Sequence, residues 1–393
     1  MIKRIIEEKI EKLMKQFPAV ALVGPRQCGK TTLAKIIQKK SKIEGVYFDL
    51  ESPQDLRKFK NPELFLTAHE QNQVIIDEVQ RMPQLFPIMR SLIDKKRKAG
   101  RFLLLGSASP ELVKGSSESL AGRIYFLEAT PLLLIELPNK SNTIQKHWFR
   151  GGFPAAWKAK NDDDFYQWMD GFARTFIERD LNNLFGVIFS PNLMFKLWRM
   201  LAHYHGGIWN AQSFSKGLDV SSVTVNRYLD YLQGAFMVRK LLPYYHNTSK
   251  RLVKSPKVYI RDSGLLHYLL DIHHAKNLQY HPMLGYSWEG YVIEQIISLL
   301  PNNIQPYYYR TQDGAEVDLV LVKGIKPIAC IEIKYSENPS LTRGLAESIK
   351  DLKTKNNYVI TTGDDPLWPI NKWINAVGLR SFLTDILPKI ISK

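Results

Sequence analysis

The chain has 393 residues, more than one ordinary hydrophobic core accommodates, and its 45% apolar and 23% charged content is that of a folded protein of about two to four domains. Lys and Arg outnumber Asp and Glu by 54 to 38, and a formal charge of +16 draws anionic partners; DNA is the expected one, with solubility the plainer use of the same charge. The cysteines, Cys28 and Cys330, offer neither a disulfide framework nor a CxxC metal knuckle and fit a reducing compartment.

The opening MIKRIIEEKIEKLMKQF spaces Ile2, Ile5, Ile6, Ile10 and Leu13 as a helix face. Glu7, Glu8 and Glu11 interrupt it, unlike a signal peptide, and no apolar run reaches a membrane span. A cytoplasmic chain with no membrane partner is expected. From residue 18 to about 135, short apolar strands alternate with helical stretches: Val20–Val23, Val46–Leu50, Val74–Ile76, Phe102–Leu105 and Ile124–Leu127. That rhythm predicts a parallel α/β sheet.

Between the first strand and the first helix lies Gly24-Pro25-Arg26-Gln27-Cys28-Gly29-Lys30-Thr31, followed by Thr32, which matches the phosphate-binding pattern G-x-x-x-x-G-K-[ST] in its proper strand–helix context. Gly24 and Gly29 let backbone N–H groups converge on a phosphate, and the helix beginning near Lys30 adds its positive end. Lys30 is placed to reach the β- and γ-phosphates of ATP, and the Thr31 hydroxyl to ligate Mg2+. Val74-Ile-Ile-Asp77-Glu78 supplies the acidic half: Asp77 near the metal through a water, Glu78 as general base. Ser107, at the end of the fourth strand, is read either as a ligand of water or γ-phosphate or as a helix cap. Arg123, just before Ile124, is read either as a trans arginine reaching a neighbouring subunit's ATP in a homo-oligomer or as a surface ion pair. Cys28 sits at a helix N-terminus, where thiol pKa falls, or simply fills a small position.

A turn at Gly151-Gly152-Phe153-Pro154 precedes an amphipathic helix from about Asp163 to Asn183. Residues 211–217, a turn at Leu218-Asp-Val, and residues 221–233 read as helix–turn–helix, capped by Ser221 or Ser222 with Val225, Tyr228, Leu229 and Leu232 on one face. With a strand pair near Phe236–Tyr245 this becomes a winged-helix candidate, offering Ser222, Thr224, Asn226 and Arg227 outward and Arg239, Lys240, Lys250 and Arg251 to phosphates; a protein-contact role stands beside DNA binding.

A helix over Tyr286–Leu300 leads into strands Tyr307–Arg310, Val317–Leu321 and Ile328–Ile333. Asp318 is followed fourteen residues later by Glu332-Ile333-Lys334, with Glu332 and Lys334 on one face. Asp318 and Glu332, completed by Glu289 from the helix, form a candidate Mg2+ site, and Lys334 is placed to orient the attacking water. This is the constellation of a restriction-endonuclease-like domain; structural ion pairs are its plainer reading.

The stretches GPRQCGKTT, YFDLESP, VIIDEVQ, LLLGSASP, SLAGR, GGFP, FIERDL, RDSGLL, YSWEGYVIE, and AEVDLV with IEIKYS resemble prokaryotic AAA-type ATPases that carry a C-terminal domain of unknown function, over nearly the whole chain. The resemblance implies an AAA-like ATPase core, a winged-helix segment and a nuclease-like C-terminal fold, and no particular substrate. It also makes Arg179, in Ile-Glu-Arg-Asp180, a second arginine of interest, while Cys28 stands where similar chains carry another small or β-branched residue.

The expected fold is therefore α/β: a P-loop core with a parallel sheet over residues 1–140, a helical lid or linker over 141–190, a winged-helix segment over 191–275, and a restriction-endonuclease-like α/β domain over 276–393. The expected function is Mg-dependent ATP hydrolysis coupled to action on DNA or a nucleoprotein. An ATP-gated switch with an inactive nuclease-like domain and an ATP-dependent protein remodeller are the alternatives.

Overall fold

A computed structural model describes residues 2–109, 120–245 and 252–392. The chain divides into two compact units: Met1–Leu132 with Arg174–Ser190 and Asp230–Met237, and Leu133–Ala173 with Pro191–Leu229 and Val238–Lys393.

The first unit is built on five parallel strands: β1 (Ala19–Val23), β2 (Gly45–Asp49), β3 (Gln73–Asp77), β4 (Phe102–Gly106) and β5 (Ile124–Glu128), in spatial order β2-β3-β4-β1-β5. All residues of β1, β3 and β4 are buried, as strands covered on both faces must be, whereas the edge strands β2 and β5 are partly exposed. Because the strands are parallel, the ends of β1, β3 and β4 at Val23, Asp77 and Gly106 share one edge of the sheet. The five strands and their parallel sense agree with the sequence pattern. Beyond the sheet, the expected continuous helix of 163–183 is an α-helix to Thr175, a π-helical turn over Phe176–Asp180, and a short helix Leu181–Phe185. The wider turn re-aims Arg179 and Asp180, and such turns gather at functional sites.

The second unit carries two sheets. β6 (Gly207–Ile208), β7 (Val238–Leu241) and β8 (Lys257–Ile260) form an antiparallel sheet ordered β6-β8-β7. The strand beginning at Val238 therefore pairs with β8 and not with the Tyr244-Tyr245 segment. Lys250 and Arg251 lie outside the described residues. The helix–turn–helix is present as Ala211–Leu218 and Ser222–Gly234, and Ser221 accepts the Thr224 N–H at 3.1 Å as the cap. Val225, Leu229 and Leu232 are buried as the spacing requires. Two outward assignments differ. Asn226, although exposed, accepts the Trp209 Nε1–H at 2.8 Å, and Arg239 donates to both Glu294 oxygens, at 2.6 and 2.9 Å. Arg261 binds the same carboxylate, so Glu294 is held down at about 2: its burial is overcome by two guanidinium partners.

The second sheet is mixed, β13-β14-β12-β11-β10-β9, from β9 (Ile304–Arg310), β10 (Glu316–Lys323), β11 (Lys326–Ile333), β12 (Asn356–Thr361), β13 (Trp368–Pro369) and β14 (Asn375–Gly378). The helix Arg343–Leu352 packs Leu345 and Leu352 onto a core containing Val317, Val320, Val322 and Val359. The GGFP and RDSGLL stretches meet here. Asp262 accepts the Gly152 and Leu265 N–H groups at 2.8 and 2.9 Å, and a Cβ on Gly151 would fall 2.2 Å from its carboxylate.

Candidate functional site

The phosphate loop leaves β1 at Val23 and enters the helix Lys30–Lys40. Gly29 has φ +99°, which favours glycine, and a Cβ on Gly24 would meet the Ala129 carbonyl oxygen at 2.1 Å. Both loop glycines therefore have a structural requirement independent of any ligand. Gln27 also takes a positive φ, 60°, while Cys28 is buried and its thiol contacts the Ala129 carbonyl at 3.4 Å. The buried Lys30 ammonium donates to the carbonyls of Gly24 and Pro25 at 2.9 and 2.8 Å, placing its charge in the mouth of the loop. Thr31 Oγ1 donates to Asp77 Oδ2 at 2.7 Å, and Tyr47 donates to the same oxygen at 2.7 Å. A hydroxyl and a carboxylate oxygen side by side are hard donors of the kind Mg2+ takes.

Glu78 follows Asp77 with φ 53° and ψ 45°, a left-handed conformation uncommon outside glycine. That turn lifts its carboxylate off the line of the strand. Ser107 Oγ donates to Glu78 Oε1 at 2.9 Å, and Gln80 Nε2 donates to Oε2. Ser107 thus addresses the carboxylate. Arg26 is turned to acids as well: Nη1 donates to Asp180 Oδ1 at 2.6 Å, Nη2 donates to Glu51 Oε1 at 2.7 Å, and Nη2 lies 3.8 Å from Glu78 Oε2. Burial alone lowers the guanidinium's proton affinity, but Glu78, Asp180 and Glu51 together raise it. Asp180 is pushed up by burial, against the pull of Arg26 and Arg179. The FIERDL and YFDLESP stretches flagged Asp180 and Glu51 only as neighbours of motifs; no local pattern announces their convergence on Arg26.

Arg123 is elsewhere. β5 runs beside β1 with Ala19 opposite Ile124, so Arg123 marks the sheet edge opposite the loop, one strand or about 17 Å away. Its guanidinium binds both oxygens of Asp94, at 2.7 and 3.0 Å. An action within its own subunit's loop is thereby excluded.

In the second unit, Glu289, Asp318, Glu332 and Lys334 line one cavity of about 700 Å3. Sequence reasoning missed its centre, Lys257 of β8, which is 5% exposed. Its Nζ lies 3.2 Å from Glu289 Oε1, 3.1 Å from Glu316 Oε1 and 3.8 Å from Asp318 Oδ1. Tyr259, on the same strand, donates to Glu289 Oε1 at 2.6 Å. Lys334 pairs with Glu332 at 2.6 Å, and Asp318 Oδ2 accepts the Ile333 N–H at 2.9 Å. Burial and the repulsion of Glu289 and Glu332 push the Asp318 carboxyl well up, and burial also raises Glu332 against its Lys334 partner. Burial disfavours the Lys257 ammonium, but Tyr259, Glu289, Asp318 and Glu316 more than reverse this. The expected acids line one cavity, Glu289 and Asp318 sharing Lys257 and Glu332 pairing with Lys334. Among the described residues no group of three or more His, Cys, Asp or Glu side chains is arranged to hold a metal ion.

Three families match along the chain: "AAA domain" over residues 16–137, "Domain of unknown function (DUF8612)" over 141–276, and "Domain of unknown function (DUF4143)" over 284–382. Uncharacterized protein Rv2008c of Mycobacterium tuberculosis and uncharacterized protein Mb2031c of Mycobacterium bovis are each 40% identical over 383 residues, covering 97% of this chain and 85% of theirs. Among solved structures, the Walker-type ATPase PABY2304 of Pyrococcus abyssi aligns with a TM-score of 0.45 and 15% identity over 69% of this chain and 96% of its own. The Pif1 helicase of Candida albicans aligns at 0.25 and 14% over 44% and 48%. No helix among the described residues is long and apolar enough to cross a membrane.

Proposed function

This chain belongs to the family of AAA-type P-loop ATPases that carry a C-terminal domain of unknown function, and from that premise we propose that it hydrolyses Mg-ATP with Glu78 as general base and couples hydrolysis to action on DNA. The observation that carries the reading is the pair of contacts at one sheet edge: Thr31 to Asp77 at 2.7 Å and Ser107 to Glu78 at 2.9 Å. Gly24, Pro25, Arg26, Gln27, Cys28, Gly29, Lys30, Thr31 and Thr32 would wrap the phosphates, with Lys30 neutralising charge in the ground state. Thr31 and, through a water, Asp77 would hold Mg2+, which supplies charge neutralisation on the phosphates when bound. Glu78, aimed by Ser107, removes a proton from the attacking water. The basic composition supports DNA as the partner, and the order helix–strand–helix–helix–strand–strand across 191–260 supports a winged-helix reading of that segment. The deciding experiment is ATP turnover of purified protein with and without DNA. Stimulation by DNA supports the reading; stimulation by protein alone transfers it to a remodeller.

A second reading is favoured by Lys257. Its ammonium stands among Glu289, Glu316 and Asp318, where a divalent cation would otherwise offset their charge. The C-terminal unit would then be a binding domain under ATP control, a switch and not a nuclease.

A further inference from the structure

Arg26 belongs to the phosphate loop, yet its side chain, only 10% exposed, is spent on the carboxylates of Asp180, Glu51 and Glu78. The three are not equal claimants. Asp180 and Glu51 accept hydrogen bonds at 2.6 and 2.7 Å, while Glu78, at 3.8 Å, is beyond hydrogen-bond range of the same Nη2. Both nearer acids are themselves braced: Asp180 by Arg179 at 3.0 Å and Glu51 by Arg81 at 3.2 Å.

A direct guanidinium–carboxylate pair in a buried site is short and strong, and it favours the ionised acid. Closed onto Glu78 Oε2, Arg26 would weaken that carboxylate as a proton acceptor and occupy a lone pair that water needs. Ser107 already engages Oε1 and Gln80 engages Oε2, so a guanidinium closing on Oε2 would take the lone pair still open there. We infer that Asp180 and Glu51 are positioning residues: they hold Arg26 off Glu78 and thereby keep the base competent. This rests on the reading of Glu78 as general base. It gives the FIERDL and YFDLESP stretches a shared task, since one contributes Asp180 from the π-helical turn and the other Glu51 from the turn that follows β2.

Asp180→Asn and Glu51→Gln each remove a charge while keeping shape and one acceptor oxygen. Each lowers kcat about tenfold, a fraction of what a general base contributes, with the affinity for a fluorescent ATP analogue unchanged. In an Arg26→Gln background the same two substitutions cost nothing further, because the group they restrain is gone. Equal losses in both backgrounds would overturn the inference, as would weakened analogue binding at unchanged kcat, or parental kcat in both single variants. Thermal midpoints identify a variant that has lost its fold. Glu51, with its side chain 37% exposed, still reports if Asp180→Asn does not fold. Failure of the underlying reading has its own signature: Glu78→Gln would then turn over ATP at the parental rate.

Discussion

Ser107 Oγ stands 2.9 Å from Glu78 Oε1, a hydrogen bond between the ends of two neighbouring parallel strands. A base acts only on correctly placed water, so its aim matters as much as its charge. Ser107→Ala should therefore lower kcat about tenfold with nucleotide affinity intact, whereas Lys30→Ala should abolish binding because Lys30 meets ground-state phosphates. Glu78→Gln should bind ATP and hardly hydrolyse it. Single-turnover kinetics with a separate binding isotherm distinguish the three, and parental turnover in the Glu78 variant removes it as the base.

Arg123 sits at the edge of the sheet opposite the loop, so any effect on hydrolysis has to be exerted on another subunit. Arg123→Ala should leave ATP affinity nearly unchanged and lower turnover by roughly 10³-fold. Specific activity of the parent should rise with protein concentration. A concentration-independent rate from a monomer would reduce Arg123 to its ion pair with Asp94.

DNA binding, measured against salt, should weaken with a log–log slope of about −0.9 for each phosphate neutralised. Arg227→Ala with Lys240→Ala should flatten that slope by about one to two units. Arg239→Ala should behave differently. It removes one of the two guanidinium partners of the buried Glu294, Arg261 remaining, and should cost stability, about 1.5–3 kcal/mol, more than salt dependence. Absence of binding at low salt would assign the net charge to solubility alone.

These contrasts show where the sequence was legible. The five strands and the phosphate loop depend on local signals: apolar runs bounded by glycine, and a fixed spacing of Gly, Lys and Thr. Arg26 and Asp180 stand 154 residues apart, and nothing in either neighbourhood encodes their pairing. Arg239 read as a wing cation because sequence shows its charge but not Glu294, 55 residues away. Lys257 escaped notice for the same reason: β8 looks like any short strand until Glu289, Glu316 and Asp318 are folded around it.

The C-terminal cavity is decided by cleavage. If Asp318, Glu332 and Glu289 serve a metal and Lys334 the attacking water, DNA should be cut with Mg2+ or Mn2+ and not with EDTA. Asp318→Ala and Lys334→Ala should each remove cutting while ATPase activity persists. No cleavage of single-stranded, double-stranded or branched DNA favours the switch. Lys257→Ala should destabilise the protein by about 3–5 kcal/mol in either case, since it strands buried carboxylates.

Acid should weaken the fold through two histidines. Burial lowers His205 to about 3 and His267 to about 4, so both are neutral when folded and protonated when unfolded between pH 6.5 and about 4. The unfolded chain then binds more protons, and stability falls as pH drops through that window, by up to about 1.4 kcal/mol per pH unit for each histidine. Asp262, raised by burial to about 6, acts in the opposite sense between 3.8 and about 6, and the raised carboxyls of Asp180, Asp318 and Glu332 act in that sense too. Glu294, held at about 2, adds to the loss in acid; the histidine share is the part a single substitution isolates. His267→Gln should flatten the dependence of the thermal midpoint on pH between 7 and 5; an unchanged slope would show that His267 carries a charge in the folded state.

The close approach of Gly24 to the Ala129 carbonyl limits how this loop can be interrogated. Any side chain there collides with main chain of the strand exit before a nucleotide arrives, so a Gly24 variant that fails to bind ATP reports a broken scaffold. Gly29 is different: the atom nearest its would-be Cβ is Arg4 Nη1, at 4.0 Å, and the obstacle is its positive φ alone. Gly29→Asn, a residue that tolerates left-handed backbone, would alter the mouth of the loop while leaving its foundations in place. Of the two invariants of the phosphate-binding pattern, one is an architectural tolerance and the other a conformational setting, and only the second can be tuned.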